Sequence, residues 1–273
     1  MRFRDKTLSL DSPQVMGILN VTPDSFSDGG RFNTLDTALK QASKMIEDGA
    51  TILDIGGEST RPGSLAVPLQ EELDRVMPII EALASRFDVV LSVDTKKAQV
   101  MRAAISAGVH LVNDIFALQA EGALETVADS NVAVCLMHMR GQPSSMQNAP
   151  SYEHVVEEVK QFLGARIQAC TDVGISQERI IIDPGFGFGK SLQHNCDLLA
   201  HFSEFSDFGL PVLAGVSRKS MFGALLDLNI DQRLVPSVVS AVLATQRGAS
   251  ILRVHDVKET VDALALMRAC SLD

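Results

Sequence analysis

Basic residues are scarce relative to acidic ones in this chain. Its 273 residues include 24 Lys and Arg against 34 Asp and Glu, which gives a formal net charge of −10. An excess of negative charge opposes binding to a nucleic-acid duplex or to an anionic membrane, because both carry dense negative charge themselves. We therefore expect small-molecule partners, with neither nucleic acid nor membrane among them.

Long apolar runs and cysteine motifs are also missing. No uninterrupted apolar stretch approaches the roughly 18 residues of a membrane span, and the N-terminal segment MRFRDKTLSLDSPQV lacks the apolar run of a signal peptide. The four cysteines are scattered without a C-x-x-C pair, which indicates neither a disulfide framework nor a zinc site. The sequence predicts a protein of the reducing cytoplasm.

What is present is a regular alternation of short apolar segments with amphipathic ones, which is typical of parallel strands joined by helices. The predicted strands are 15–19, 52–55, 89–93, 111–112, 132–137, 180–182, 211–214 and 251–254. The predicted helices are 34–49, 69–86, 96–107, 122–129, 152–173, 196–205, 236–247 and 257–270. Eight such pairs without a linker predict one domain over residues 1–273, of the α/β class, folded as a (β/α)₈ TIM barrel. A doubly wound parallel sheet is the alternative.

Polar residues follow every predicted strand. In a barrel of this kind the loops after the strands converge on one mouth, so the active site is expected at the C-terminal ends of the strands. The candidates, in chain order, are Asn20, Arg61, Asp94, Asn113, His138, Asp183, Lys219, Arg253 and His255. Each could be a helix cap or a packing residue on its own, but their coincidence at all eight ends favours a site.

Two familiar nucleotide-binding motifs fail in the segment 183–191. Its residues Pro184 to Ser191 match G-x-x-x-x-G-K-[ST] except that proline stands where the first glycine belongs, which disfavours a P-loop. The third glycine of G-x-G-x-x-G is replaced by Lys190, so no dinucleotide fingerprint remains.

The residue types at the mouth indicate the ligand chemistry. A cationic set at the mouth of this otherwise acidic chain favours a phosphorylated ligand. The set comprises Arg61, Arg218, Lys219, Arg253 and His255. Asn20 offers an oxygen for Mg²⁺, whose other ligands would be water and phosphate. Carboxylates and an amide suit the edge of a polar heterocycle, and apolar side chains suit its flat faces. The former are Asp94, Asn113 and Asp183, and the latter are Phe26, Met137 and Phe188.

Six segments in one order carry a specific family resemblance. They are 17–30 (GILNVTPDSFSDGG), 57–63 (GESTRPG), 92–95 (SVDT), 183–190 (DPGFGFGK), 217–220 (SRKS) and 253–257 (RVHDV). With these segments the chain resembles the dihydropteroate synthases, pterin-binding barrel enzymes of folate synthesis. The resemblance implies a transferase that joins 6-hydroxymethyl-7,8-dihydropterin diphosphate to p-aminobenzoate, releasing diphosphate and forming 7,8-dihydropteroate.

The resemblance also implies roles for individual residues. The pterin would be bound by Asp94, Asn113, Met137, Asp183 and Lys219, and the diphosphate by Thr60, Arg61, Arg253 and His255. The p-aminobenzoate would lie near Phe26, Pro62, Phe188 and Ser220. Asn20 would bind Mg²⁺ as the cofactor ion, Arg218 would serve packing or a salt bridge, and the chain would form a homodimer.

The family's mechanism is dissociative. The bond to diphosphate breaks first, and p-aminobenzoate attacks the resulting pterin cation, so the catalytic side chains would be Asp94, Lys219, Arg253, His255 and Arg61. Two other interpretations stay open. One is a pterin-binding methyltransferase, which has less need for Arg61, Arg253 and His255. The other is a non-catalytic paralogue that binds pterins or regulates a partner. Pro236 departs from the family's usual glycine and makes the start of the following helix uncertain from sequence.

Overall fold

The computed structural model describes residues 1–22, 31–59 and 63–270, and its central feature is a parallel β-barrel. A short antiparallel hairpin, β1 (Arg2–Phe3) and β2 (Lys6–Thr7), precedes the barrel strands. In the described ranges the barrel strands are β3 (Gln14–Asn20), β4 (Ile52–Gly56), β5 (Val90–Asp94), β6 (Leu111–Asp114), β7 (Ala133–Met137), β8 (Ile180–Asp183), β9 (Leu213–Ala214) and β10 (Ile251–Val254). The eight parallel strands confirm the predicted barrel.

The order of the strands shows that the sheet closes on itself. Neighbouring strands follow the order β8-β7-β6-β5-β4-β3-β10-β9, so the two ends of the list are β8 and β9. A parallel bridge joins Ile182 to Val212, and the Ile182 N–H donates to the Pro211 carbonyl oxygen at 3.0 Å. Closure brings all eight strand ends to one mouth, so the doubly wound alternative is wrong.

Helices cover the outside of the barrel. Within the described residues they are α1 (Arg31–Glu47), α2 (Leu69–Arg86), α3 (Ala98–Ala107), α4 (Ala123–Ala128), α5 (Val155–Asp172), α6 (Leu192–Ala200), α7 (Ser220–Leu226), α8 (Leu234–Gln246) and α9 (Val257–Cys270). Outward-facing strand residues such as Leu53 and Leu91 pack against helix residues such as Ile80 and Leu83 in the main apolar core. None of the helices among these residues is long and apolar enough to cross a membrane.

The N-terminal hairpin, which the sequence pattern did not predict, closes the bottom of the barrel. Phe3 is fully buried and packs with the inward-facing lowest residues of the strands, among them Met16, Ile52 and Val90. Two residues per strand are too few to produce a hydrophobic period in the sequence. The apolar plug leaves polar chemistry to the opposite end of the barrel.

The helices between β8 and β10 differ from the predicted ones. α6 begins at Leu192 rather than Cys196, because Ser191 and His194 form a reciprocal cap between side chains and backbone N–H groups. α7 was not predicted at all, since seven residues are too short for a clear period. Pro236 lies in the first turn of α8, where a missing N–H breaks no intrahelical bond.

Candidate active site

Closure of the barrel brings seven of the predicted site residues into one pocket at the mouth. The pocket is lined by Asp94, Asn113, Met137, Asp183, Lys219 and Arg253, together with Phe188, Ile115, Phe186 and Gly215. The first six come from six different strand ends, which explains why no local motif unites them. Phe188, which is predicted to lie near the p-aminobenzoate, forms part of the same pocket wall.

Asp54 is a central residue of this site that the sequence reasoning missed. Its Oδ2 accepts hydrogen bonds from Arg253 Nε at 2.6 Å and from Asn113 Nδ2 at 3.0 Å, and its Oδ1 accepts from Ser92 Oγ at 2.6 Å. Asp54 is fully buried. A signal for it existed: it lies two residues after Ile52 in β4, so strand alternation turns its carboxylate into the barrel.

Arg253 links two buried carboxylates. Its Nε donates to Asp54, and its Nη2 donates to Asp94 Oδ2, each at 2.6 Å. Burial alone would lower the pKa of Arg253, but the two carboxylates raise it above its ordinary value. One guanidinium cannot neutralise both acids, and burial, with the nearby Asp54, raises the pKa of Asp94 to about 7. Asp94 is therefore a carboxylate in an environment that disfavours its charge.

Asp183 and Lys219 form the opposite side of the pocket. Asp183 Oδ1 accepts a hydrogen bond from the Gly185 N–H at 2.7 Å, and burial raises the pKa of this carboxyl group. Lys219 Nζ lies 4.2 Å from the centre of the Phe188 ring, a cation–π contact. Burial and the Arg253 charge lower the pKa of Lys219 to about 8. The pocket thus pairs a basic amine with an acidic edge.

The glycine-rich loop after β8 is built for close contacts rather than for phosphate. Gly185, Gly187 and Gly189 all have positive φ angles of 74°, 82° and 66°. A Cβ atom on Gly185 would collide with the His138 carbonyl oxygen, and one on Gly187 would press on Lys219 Cδ at 3.2 Å. The loop therefore packs directly against the loop after β7 and supports Lys219.

A buried lysine connects these two loops by hydrogen bonds. Lys190 Nζ donates to the carbonyl oxygens of Gly185 and Phe188 at 2.8 and 3.1 Å, and it lies 2.9 Å from His138 Nδ1. Burial lowers the pKa of Lys190 well below its ordinary value, and burial with the Lys190 charge lowers the pKa of His138 to about 2. Lys190, which belongs to the incomplete P-loop motif, therefore has a structural role, and His138 is one of its partners.

His255 and Arg218 lie beyond Arg253, where β9 and β10 end. His255 Nδ1 is 3.0 Å from Ser217 Oγ, and burial with the Arg253 charge lowers the pKa of His255 to about 3. Arg218 donates from Nε and Nη2 to the two oxygens of Asp256 at 3.0 and 2.5 Å. This ion pair confirms the expectation that Arg218 forms a salt bridge.

An ion-pair network holds the start of the loop after β4. Glu58 pairs with Lys96 at 3.0 Å and also with Lys97, which in turn pairs with the buried Glu72. Glu72 Oε1 accepts a further hydrogen bond from Thr95 Oγ1 at 2.6 Å. The network ties this loop to the loop after β5, next to Asp94.

The remaining predicted residues divide into two groups. Asn20 ends β3 half-buried, and Gly56 separates it from Asp94 at the same level of the sheet. Ser220 is exposed and is the first residue of α7. Phe26, Thr60, Arg61 and Pro62 lie outside the described residues, so their predicted contacts stay predictions. In the described parts of the chain, no three His, Cys, Asp or Glu side chains form a group that could hold a metal.

Known proteins resemble this chain along almost its whole length. The sequence profile of the family described as pterin binding enzyme matches residues 16–255. The dihydropteroate synthase of Haemophilus influenzae is 56% identical over 265 residues, covering 97% of this chain and 96% of that protein. The structure of the Yersinia pestis dihydropteroate synthase with a sulfonamide drug complex has a TM-score of 0.94 at 56% identity, covering 98% of both chains. That of the Xanthomonas albilineans enzyme in complex with 7,8-dihydropteroate has a TM-score of 0.87 at 50% identity, covering 96% of this chain and 95% of that one. The chain therefore belongs to the pterin-binding enzyme family and, within it, to the dihydropteroate synthases.

Proposed function

We propose that the barrel mouth joins 6-hydroxymethyl-7,8-dihydropterin diphosphate to p-aminobenzoate, and that the chain acts as one catalytic domain. The observation that carries the proposal is the pocket in which Asp94, Asn113 and Asp183 face Lys219 and Arg253. The relative from Xanthomonas albilineans binds 7,8-dihydropteroate, the product that this reaction would form. A site that combines carboxylates, an amide and two cations suits a heterocycle that carries a diphosphate.

The pterin edge would be bound by the amide and carboxylate oxygens of the pocket. Within the described residues, Asn113 Oδ1 and Asp183 Oδ2 have no hydrogen-bond partner, while the other polar atom of each side chain is held by the protein. A fixed side chain with one free acceptor is suited to the N–H groups of an aminopyrimidine ring. Met137 and the Phe188 ring would contact the flat faces of the heterocycle.

The reaction would proceed by heterolysis of the bond between the pterin methylene carbon and the diphosphate oxygen. The electron pair leaves with diphosphate, the pterin becomes a cation, and the aniline nitrogen forms the new bond and then loses its proton. Asp54, Asp94 and Asp183 supply fixed negative charge beside the cation, whereas Arg253, His255 and the predicted Arg61 and Thr60 favour the departing anion. No side chain needs to act as a nucleophile.

The p-aminobenzoate would bind beside Lys219. Phe188 lies directly against the Lys219 ammonium, and Ser220 follows Lys219 in the chain as the first residue of α7. The Phe188 ring would therefore contact the ring of the substrate, and the Ser220 hydroxyl would bind its carboxylate. Phe26 and Pro62 are predicted to complete the enclosure. Replacing Phe188 by Ala should therefore raise the KM for p-aminobenzoate. Unchanged kinetic constants in this variant would contradict the placement.

We further propose Asn20 as the protein's ligand for Mg²⁺. A single amide oxygen at the mouth fits an ion that keeps most of its waters and takes phosphate oxygens from the substrate. When bound, Mg²⁺ would neutralise part of the diphosphate charge. Replacing Asn20 by Ala should raise the Mg²⁺ concentration needed for half-maximal activity, and an unchanged Mg²⁺ dependence would contradict the assignment.

A second copy of the chain is the proposed partner of the α7–α8 surface. Leu225, Leu226, Val235 and Val239 are at least half exposed on neighbouring elements, and the two valines are one helical turn apart. We expect a homodimer by sedimentation equilibrium. The Val239→Asp variant should shift the mass towards the monomer, and a wild-type monomer at micromolar concentration would contradict the proposal.

A reducing cytoplasm is the proposed location. Cys135 and Cys170 are free and buried, and burial raises the pKa of both thiols, so they stay protonated and unreactive. Fractionation of the source cells tests this, with recovery outside the cytoplasmic fraction as the contradicting result.

The activity test uses purified full-length protein with Mg²⁺ and both substrates. Chromatography follows 7,8-dihydropteroate while a coupled assay follows diphosphate. Product that requires both substrates supports the proposal. Binding of the pterin without product would favour the non-catalytic interpretation, and no pterin binding would refute the site assignment as a whole.

A further inference from the structure

Ser217 and His255 contact each other twice at the ends of neighbouring strands. The His255 backbone N–H donates to Ser217 Oγ at 3.1 Å, and His255 Nδ1 lies 3.0 Å from the same oxygen. Ser217 is buried, with 5% of its surface exposed. A serine that meets both the backbone and the ring of one histidine determines where that ring lies.

The hydrogen count of this contact determines the histidine tautomer. A hydroxyl group has one proton to donate and two lone pairs to accept with. The His255 backbone N–H occupies one lone pair, and the hydroxyl proton is then donated to Nδ1, which must be unprotonated. In the opposite tautomer the oxygen would accept two N–H groups, and within the described residues its own proton would have no acceptor.

Burial and the charges around His255 keep the ring neutral. Arg253, Arg218 and Lys219 face it as cations, and the one facing anion, Asp256, is bound at both oxygens by Arg218. A neutral ring with an unprotonated Nδ1 carries its proton on Nε2. Among the contacts of the described residues, Nε2 has no protein partner, so this N–H is free for a ligand.

We propose that Ser217 is a positioning residue that holds the proton of His255 on Nε2 and so presents a neutral N–H donor to a phosphate oxygen at the barrel mouth. The proposal rests on the proposed function for the identity of the ligand. The tautomer itself does not depend on that function.

The first test measures the tautomer without any ligand. Nitrogen-15 NMR of the full chain with labelled histidine gives separate shifts for the two ring nitrogens, and the signals that vanish in His255→Gln identify His255. We expect an unprotonated Nδ1 and a protonated Nε2 in the wild type, and a mixture of tautomers in Ser217→Ala. A protonated Nδ1 in the wild type, or no change in Ser217→Ala, would overturn the proposal.

The second test separates tautomer control from ordinary packing. The terminal amide of glutamine in His255→Gln occupies nearly the same place as Nε2–H but has no tautomers. In the wild-type background, Ser217→Ala should weaken binding of the pterin diphosphate roughly ten-fold, as for loss of one hydrogen bond to a charged group. In the His255→Gln background, the same change should weaken binding less than about two-fold. An equal loss in both backgrounds would show that Ser217 acts only through packing. Failure of the proposed function would instead show as absence of product from the wild type, whatever the NMR result.

Discussion

Replacing Asp94 by Asn should make the protein more stable in the absence of substrates while it removes activity. Asp94 is buried next to Asp54, and both carboxylates depend on the single guanidinium of Arg253. Burial and the Asp54 charge place the pKa of Asp94 at about 7, against an ordinary value of 3.8. Asparagine keeps an oxygen that can accept the Arg253 hydrogen bond and removes the charge.

The size of the effect follows from the shift in pKa. Because the folded protein binds this proton more tightly than the unfolded chain, stability contributed by the proton is present at low pH and is lost as the pH rises through 7. At pH 8 the buried charge lowers the unfolding free energy by on the order of 4 kcal/mol. At pH 5 the group is charged only in the unfolded chain, and taking up the proton on folding lowers the unfolding free energy by roughly 2 kcal/mol. Between these pH values the wild type should therefore lose about 2–3 kcal/mol more unfolding free energy than Asp94→Asn.

Urea denaturation at pH 5 and pH 8, without substrates, measures this difference. Asp129→Asn is the matched control, because Asp129 is exposed and its change should leave the difference between the two pH values unaltered. Turnover by Asp94→Asn should fall about 100-fold or more, as for other preorganised charges. A variant that is no more stable than the wild type at pH 8 would refute the reasoning.

Three further variants test other parts of the structure. Arg253→Ala leaves two buried carboxylates unpaired, so urea titration should show a loss of about 3–5 kcal/mol and turnover should fall about 100-fold; wild-type stability would contradict the buried pairing. Phe3→Ala removes a fully buried ring from the bottom of the barrel and should lower the unfolding free energy by about 3–5 kcal/mol with an unchanged kcat. A loss of kcat in folded protein would argue against a purely structural hairpin. Gly185→Ala places a methyl group on the His138 carbonyl oxygen and should weaken pterin binding at least about ten-fold, as measured by calorimetry. The control Gly174→Ala also lies at positive φ but in open space, so it should lower the unfolding free energy by about 1 kcal/mol and leave pterin binding unchanged. Equal pterin affinity in the two glycine variants would contradict the role of the close contact.

Much of the site could be predicted from the sequence because a polar residue at the end of an apolar run marks the end of a strand. Asp94, Asn113, Asp183 and Arg253 each end or nearly end an apolar run, and a barrel brings such ends together. Asp54 was missed because it lies inside an apolar run, where only the inward side of the strand distinguishes it from its neighbours. Lys190 was noticed only as part of a motif that failed, and its burial depends on loops that meet in space.

The sequence by itself determined the class of fold, the family and the kinds of ligand, because these depend on patterns within short segments. Apolar alternation with amphipathic segments requires a layered α/β fold, and six motifs in order specify the family. Only the tertiary structure decided which charged groups pair with each other. Whether Arg253 neutralises one carboxylate or bridges two, and which nitrogen of His255 carries a proton, depend on distances between residues from different strands. Electrostatic and hydrogen-bond energies change steeply over a few ångströms in a buried site, and a linear sequence holds no information about those distances.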